Sequence, residues 1–178
     1  MSSVWTFGSR IHTPECPWVY SSECDEQFGV LRQEDEEAAE ILAALTRRAY
    51  RVGLQPEENS SNPTKKVYPT HRCPVGERVR ELPDSKFGDG GVDMPWTGEL
   101  YAEGSDGSML YRLYFIELRK AWKPPTERIV GSGIGRKPVS EGTGWTPTQQ
   151  TQEIHDAMHS GVTYCINVGQ RWRRWETS

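Results

Sequence analysis

Apolar and polar positions alternate most regularly between residues 98 and 137. Gly98-Glu99-Leu100-Tyr101-Ala102-Glu103-Gly104 leads through Ser105-Asp106-Gly107-Ser108 to Tyr111-Arg112-Leu113-Tyr114-Phe115-Ile116-Glu117. The period of two predicts a pair of strands, and Asp-Gly predicts their turn because it tolerates φ > 0. Tyr111, Leu113 and Phe115 share one face; Arg112, Tyr114 and Ile116 share the other, so a single cation sits among apolar neighbours. Residues 128–137 form a third strand or a glycine-rich loop that delivers Arg136 and Lys137, and Pro138 stops it. Residues 4–7, 65–68, 77–82 and 162–168 are shorter strand-like runs.

Helical periodicity is clearest over residues 33–52. Glu34, Asp35, Glu36 and Glu37 crowd the first turn and Arg47, Arg48 and Arg51 the last, both matching the helix dipole. Ala38, Leu42, Leu45, Ala49 and Val52 fall on one face with Ile41 beside them, and Gly53 is placed to end the helix. Ser22 and Asp25 predict one short helical turn through Phe28, ended by Gly29. Thr146-Pro147 is a cap followed by proline at the first helical position. It predicts a helix over 146–159 with a stripe of Gln150, Ile154, Ala157 and Met158, ended by Gly161. Residues 55–76 have turn and linker chemistry.

These elements predict an α+β protein: a twisted, mainly antiparallel sheet of four to six strands, with a long N-terminal helix and a C-terminal helix. At 178 residues the chain suits one domain, divided into an aromatic arm (1–32), a core (33–160) and a strand with an Arg/Trp-rich tail packed on that core (161–178). The mean hydropathy of −0.72 is lean, but seven Trp and seven Tyr supply large apolar surfaces.

Charge is unevenly distributed. Residues 1–110 hold 11 Lys and Arg against 19 Asp and Glu, a net −8; residues 111–178 hold 10 against 6, a net +4. The basic part can meet phosphate while the whole chain stays acidic at −4. No run of about 18 apolar residues predicts a membrane span, and the opening residues lack a secretory signal pattern, so a cytoplasmic protein is expected. Cys16, Cys24, Cys73 and Cys165 are then thiols. The Cys16/Cys24 and His71/Cys73 spacings differ from zinc-site spacings, although the two half-sites could converge; no metal and no cofactor is expected. His155 and His159 share a helix face, but the glutamate of H-E-x-x-H is missing, which leaves a solvent-facing pair.

Gly131-Ser132-Gly133-Ile134-Gly135-Arg136-Lys137 is not a nucleotide-binding P-loop, because Pro138 occupies the hydroxyl position. Glycines in a strand instead let a backbone or ligand approach closely. Cys165 sits in an apolar run, which predicts a buried, inert thiol. What remains is cationic and aromatic: Arg112, Arg136, Lys137 and Tyr101, with Arg171, Arg173 and Arg174 interleaved with Trp172 and Trp175. On one sheet face they would form a phosphodiester site with rings for base stacking. The bland alternative is that each arginine covers an aromatic surface.

The order helix, variable loop, four strands with a basic end, helix resembles the RelE/ParE/HigB superfamily of bacterial toxins. Arg80-Glu81-Leu82-Pro83-Asp84 looks like its first core strand. Gly98-Glu99-Leu100-Tyr101 with Tyr111-Arg112-Leu113-Tyr114-Phe115 looks like the HigB strand pair. Arg136-Lys137 falls at its basic pair, and Thr146-Pro147 through Ala157 is similar to its following helix. The resemblance spans residues 36–160; Tyr101 stands where the family often has Arg.

It implies a metal-independent endoribonuclease cleaving mRNA, often on the ribosome, with a cognate antitoxin as partner. Arg112, Arg136 and Lys137 would stabilise phosphate charge, and His155 or His159 would move protons. Tyr101, Lys86, Arg171, Arg173 and Arg174 would hold RNA. The alternative is a non-catalytic protein- or RNA-binding protein using the same surface. A third expectation, an enzyme on a small phosphorylated ligand, needs a pocket walled by Trp96, Trp122 or Trp145. The nuclease reading requires Arg112, Lys137 and a histidine in one open cleft; burial of Arg112 against Glu99 or Glu117 as a structural pair would count against it.

Overall fold

The computed structural model describes residues 8–55, 70–75, 93–119, 128–139 and 146–175. Within them lie β1 (Trp18–Tyr20), α1 (Ser22–Glu34), α2 (Glu36–Val52), β2 (His71–Arg72), β3 (Thr97–Glu103), β4 (Met109–Glu117), β5 (Ile129–Pro138) and α3 (Pro147–Asn167). The expected strands at 4–7, 65–68 and 77–82 lie outside the described residues.

The strands form one sheet in the order β1-β5-β4-β3-β2. β5, β4, β3 and β2 pair antiparallel, whereas β1 joins β5 in parallel. The sheet is therefore mixed rather than mainly antiparallel. β1 is three residues long, too short for its alternation to reveal a strand, and its partner lies more than 100 residues away. Trp18 belongs to this edge strand and packs its ring against Phe115 at 5.4 Å.

The helix boundaries correct the expectation twice. α1 begins at Ser22, capped by the Ser21 side chain, and runs through Gly29 to Glu34. Asp35 then breaks the chain with φ −155° and accepts the Ala38 N–H at 3.0 Å, so the predicted 33–52 helix starts at Glu36 as α2, and residues 33–34 belong to α1. Ala38, Leu42, Leu45 and Ala49 of α2 are buried as predicted, while Val52 is exposed. Likewise α3 runs to Asn167, so Gly161 does not end it and residues 162–168 form no strand. A Cβ on Gly161 would meet Ile116 Cδ1 at 2.7 Å; the glycine is there for close packing of helix on sheet. Gly169, with φ 69°, follows the actual end. Thr146 and Gln149 form the capping box at its start.

The helices sandwich the sheet. α1 and α2 cover the face bearing Leu100, Ala102, Tyr111, Leu113, Phe115 and Ile134. α3 covers the opposite face, where Ile154, Ala157 and Met158 pack with Tyr114. The tail lies across the end of β4: Arg173 N–H donates to Glu117 O and Trp96 N–H donates to Arg173 O, both at 2.8 Å. Glu117, fully buried, pins this end by accepting from Ser9 Oγ and Arg10 N at 3.0 Å and pairing with Arg173 at 3.4 Å.

Candidate functional site

Strand register decides which expected residues meet. Tyr101 lies opposite Arg112, Glu99 opposite Tyr114, Arg112 opposite Gly135 and Leu110 opposite Lys137. Period-2 alternation puts Glu99, Tyr101, Arg112, Tyr114 and Lys137 on the α3 face, together with the approaching Glu153 of α3. Gly135 makes room for that approach: a Cβ there would collide with the Glu153 carboxylate and the Tyr114 ring. Gly133 similarly admits Ala157, with a Cβ contact of 2.9 Å. The glycines of β5 thus serve close approach, as expected, and β5 is a strand.

The cluster is polar and almost closed. Arg112 is 5% exposed, Glu99 2% and Tyr114 0%. Arg112 Nε stands 3.6 Å from Glu99 Oε2, outside hydrogen-bond distance, and its guanidinium lies over the Tyr101 ring at 5.5 Å. The Tyr101 hydroxyl donates to Glu99 Oε1. Arg112 Nε and Nη1, Glu99 Oε2 and the Tyr114 hydroxyl are buried with no hydrogen-bond partner among the described residues. Burial raises the Glu99 pKa against the pull of Arg112, the Tyr101 hydroxyl, Arg72 and Lys137. Burial also raises the Glu153 pKa, opposed by the Arg136 N–H, which donates to it at 3.1 Å, and by Arg112. Both carboxyls hold a proton more readily than a solvated glutamate.

The remaining expected residues are elsewhere. The Arg136 side chain lies on the α1 face, donates to Glu34 at 2.7 and 3.0 Å, and covers Tyr111. It therefore does not share a face with Arg112, because adjacent strand residues point opposite ways. His155 is 1% exposed, not solvent-facing, and His159 is half-buried. Tyr101 is 9% exposed, covered rather than open to a base. Arg173 stacks over Trp96 at 4.0 Å and pairs with Glu117, so it holds the tail. Arg174 is exposed and pairs with Asp93 at 3.4 Å, and Arg171 is exposed. Lys86 lies outside the described residues, as do Trp122 and Trp145; Trp96 is buried. The expectation of one open cleft joining Arg112, Lys137 and a histidine is not met, and the burial of Arg112 beside Glu99 is the outcome that counts against the nuclease reading.

Sequence reasoning passed over Glu153 and Tyr114 as site members, and named Glu99 only as an arginine partner. Alternation along β4 placed Tyr114 on the Arg112 face, and the β3–β4 register adds Glu99 to it; Glu153 had no such signal, because helix docking decides its position. Among the described residues no three His, Cys, Asp or Glu side chains are arranged to hold a metal. Cys16 and Cys24 are buried, and Cys73 lies 3.8 Å from His12 Nε2. Burial pushes the Cys24, Cys73 and Cys165 thiols up to about 12, far from a reactive thiolate. Among the described residues no helix is long and apolar enough to cross a membrane.

The class that fold and site define is an α+β protein with a mixed five-stranded sheet between helices, carrying a buried Arg–carboxyl–tyrosine cluster. No family model, curated protein or solved structure matches the chain.

Proposed function

We propose that the chain is a RelE/HigB-like, metal-independent endoribonuclease, with the Glu99–Tyr101–Arg112–Tyr114–Glu153 cluster as its site. One observation carries the reading: Arg112 is buried without a hydrogen-bonded counterion, although Glu99 is beside it. A structural buried ion pair recovers its desolvation cost only through good geometry and further hydrogen bonds. This one has poor geometry and one further hydrogen bond, from Tyr101 to Glu99, and buried groups left orphaned in this way are functional-site candidates. The order of helices and strands and the basic end of β5 also suit the resemblance.

The chemistry follows from the residues. The RNA 2′-oxygen attacks the adjacent phosphorus, forming a 2′,3′-cyclic phosphate and releasing the 5′-oxygen. An ionised carboxylate takes the 2′-OH proton, and a protonated carboxyl returns one to the leaving oxygen. Glu99 and Glu153 are the carboxyls available for these roles, and burial raises the pKa of each. Arg112 would neutralise charge developing on the phosphorane. Glu153, half-buried, is the side on which substrate would enter, and the phosphate must take the place of Glu99 beside Arg112. Lys137 extends the cationic face.

The burial of Arg112 favours a second reading, a non-catalytic interaction protein. An open groove of about 620 Å³, lined by Pro17, Trp18, Thr46, Arg47, Tyr50 and Arg51, supports it. Inducible expression in a bacterial host separates the two. Growth and a reporter mRNA are followed for wild type, Arg112→Ala/Lys137→Ala and Glu153→Gln. Arrest with mRNA cleavage, lost in folded variants, supports the nuclease. Intact mRNA in the wild type favours the interaction protein, and cleavage that survives both variants rejects the assigned site.

A further inference from the structure

A second cavity, about 270 Å³, opens where the tail crosses the end of the sheet. Asp93, Arg119, Ile166, Gln170, Arg171, Trp172 and Arg174 line it. Among the described residues its charge is lopsided: three guanidiniums face one carboxylate, a net +2. Asp93 pairs with Arg174, while Arg119 and Arg171 are exposed and have no ion-pair partner among the described residues.

The arginines are held on fixed backbone. Arg119 N–H donates to Arg171 O at 2.8 Å, Leu118 bridges to Trp172 and Pro95 bridges to Arg174. The Trp172 indole N–H donates to Asp93 O at 2.8 Å, which sets the ring. Capping of α3 does not account for the cations. The helix-end carbonyls of Tyr164, Cys165 and Ile166 already accept the N–H groups of Val168, Gln170 and Gly169.

We propose that this cavity binds one phosphate-bearing nucleotide, the phosphate between Arg119 and Arg171 and the base against Trp172. Guanidiniums match phosphate oxygens in geometry as well as charge, and an indole offers a stacking surface. A cavity of this volume takes one nucleotide rather than a folded partner. Arg119 lies seven residues along the chain from Arg112, on the order of 23 Å at strand spacing, so this site is separate from the buried cluster. The proposal stands whether or not the protein cleaves RNA. In the nuclease reading, the cavity holds a nucleotide several positions along the strand from the scissile bond.

The test is calorimetric titration of the full chain with inorganic phosphate, a nucleoside 5′-monophosphate, a single-stranded hexaribonucleotide and an acidic hexapeptide. The variants are Arg119→Glu/Arg171→Glu and Arg119→Lys/Arg171→Lys, each checked for fold by circular dichroism. The expected result is saturable nucleotide binding, tighter than phosphate, weakened at least about tenfold by charge reversal. The lysine pair should recover part of it. Tighter binding of the hexaribonucleotide identifies an RNA strand as the source; equal binding identifies a free nucleotide. No saturable nucleotide binding, binding unaffected by charge reversal, or acidic-peptide binding equal to nucleotide binding overturns the proposal. Loss of mRNA cleavage in Arg112→Ala with nucleotide binding intact would separate the two sites.

Discussion

At the scale of single residues, Glu99, Glu117 and Glu153 set the pH response. Burial raises all three pKa values above the ordinary 4.5. Between 4.5 and each raised value the folded chain holds a proton that the unfolded chain has released. Stability therefore falls as pH rises through that window. Asp35 and Asp106 act oppositely: hydrogen bonds from Ser105, Ala38 and Ser108 lower their values, giving support above the ordinary 3.8 that is lost on further acidification. The melting temperature should rise from neutral pH towards the carboxylate range and then fall. Glu99→Gln should flatten the upper limb, which thermal denaturation across pH would record. Two glycines give a sharper contrast. Gly29→Ala, in an exposed helix position with nothing within 4 Å, should stabilise by about 0.5–1 kcal/mol. Gly135→Ala drives a methyl into Glu153 and the Tyr114 ring and should cost about 1–3 kcal/mol by denaturant titration.

At the scale of elements, Asp35 is the joint. Oδ1 caps α2 through Ala38 N, and Oδ2 accepts from Ser105 N at 2.9 Å and Ser105 Oγ at 3.1 Å, tying the α1–α2 corner to the β3–β4 turn. Asp35→Ala should cost about 1–2 kcal/mol, and hydrogen exchange should quicken at both Ala38 and Ser105. The predicted β3–β4 turn was legible because Asp106 and Gly107 meet a purely local demand: Gly107 has φ 74° and Asp106 accepts the Ser108 N–H at 2.8 Å. The end of α3 was not legible. Gly161 has the same local preference whether it stops a helix or packs on Ile116, and only the sheet beneath it decides which.

Across the whole molecule, Glu117 joins three distant segments: the 3-10 turn at Arg10–His12, the end of β4 and the tail at Arg173. Removing a buried charge from such a network costs about 3–5 kcal/mol when its partners remain. Glu117→Ala should lower stability by that order, and limited proteolysis should cut first near residues 8–12 and 171–175. Charge alone suggested a phosphate-binding C-terminal part, but the fold divides those cations by surroundings. Arg112 and Arg173 are built into the interior, Arg136 is paired on the helix face, and Arg119 and Arg171 remain open to solvent.

By itself the sequence determined the α+β class, the alternating faces of β3 and β4, their turn, the buried stripe of α2 and the capped start of α3. Each depends on local periodicity or on a backbone preference within a few residues. Tertiary structure alone decided the parallel place of β1, the full length of α3, and the meeting of Glu99, Arg112 and Glu153. Those outcomes turn on long-range pairing and helix docking, where burial and close approach outweigh local propensity.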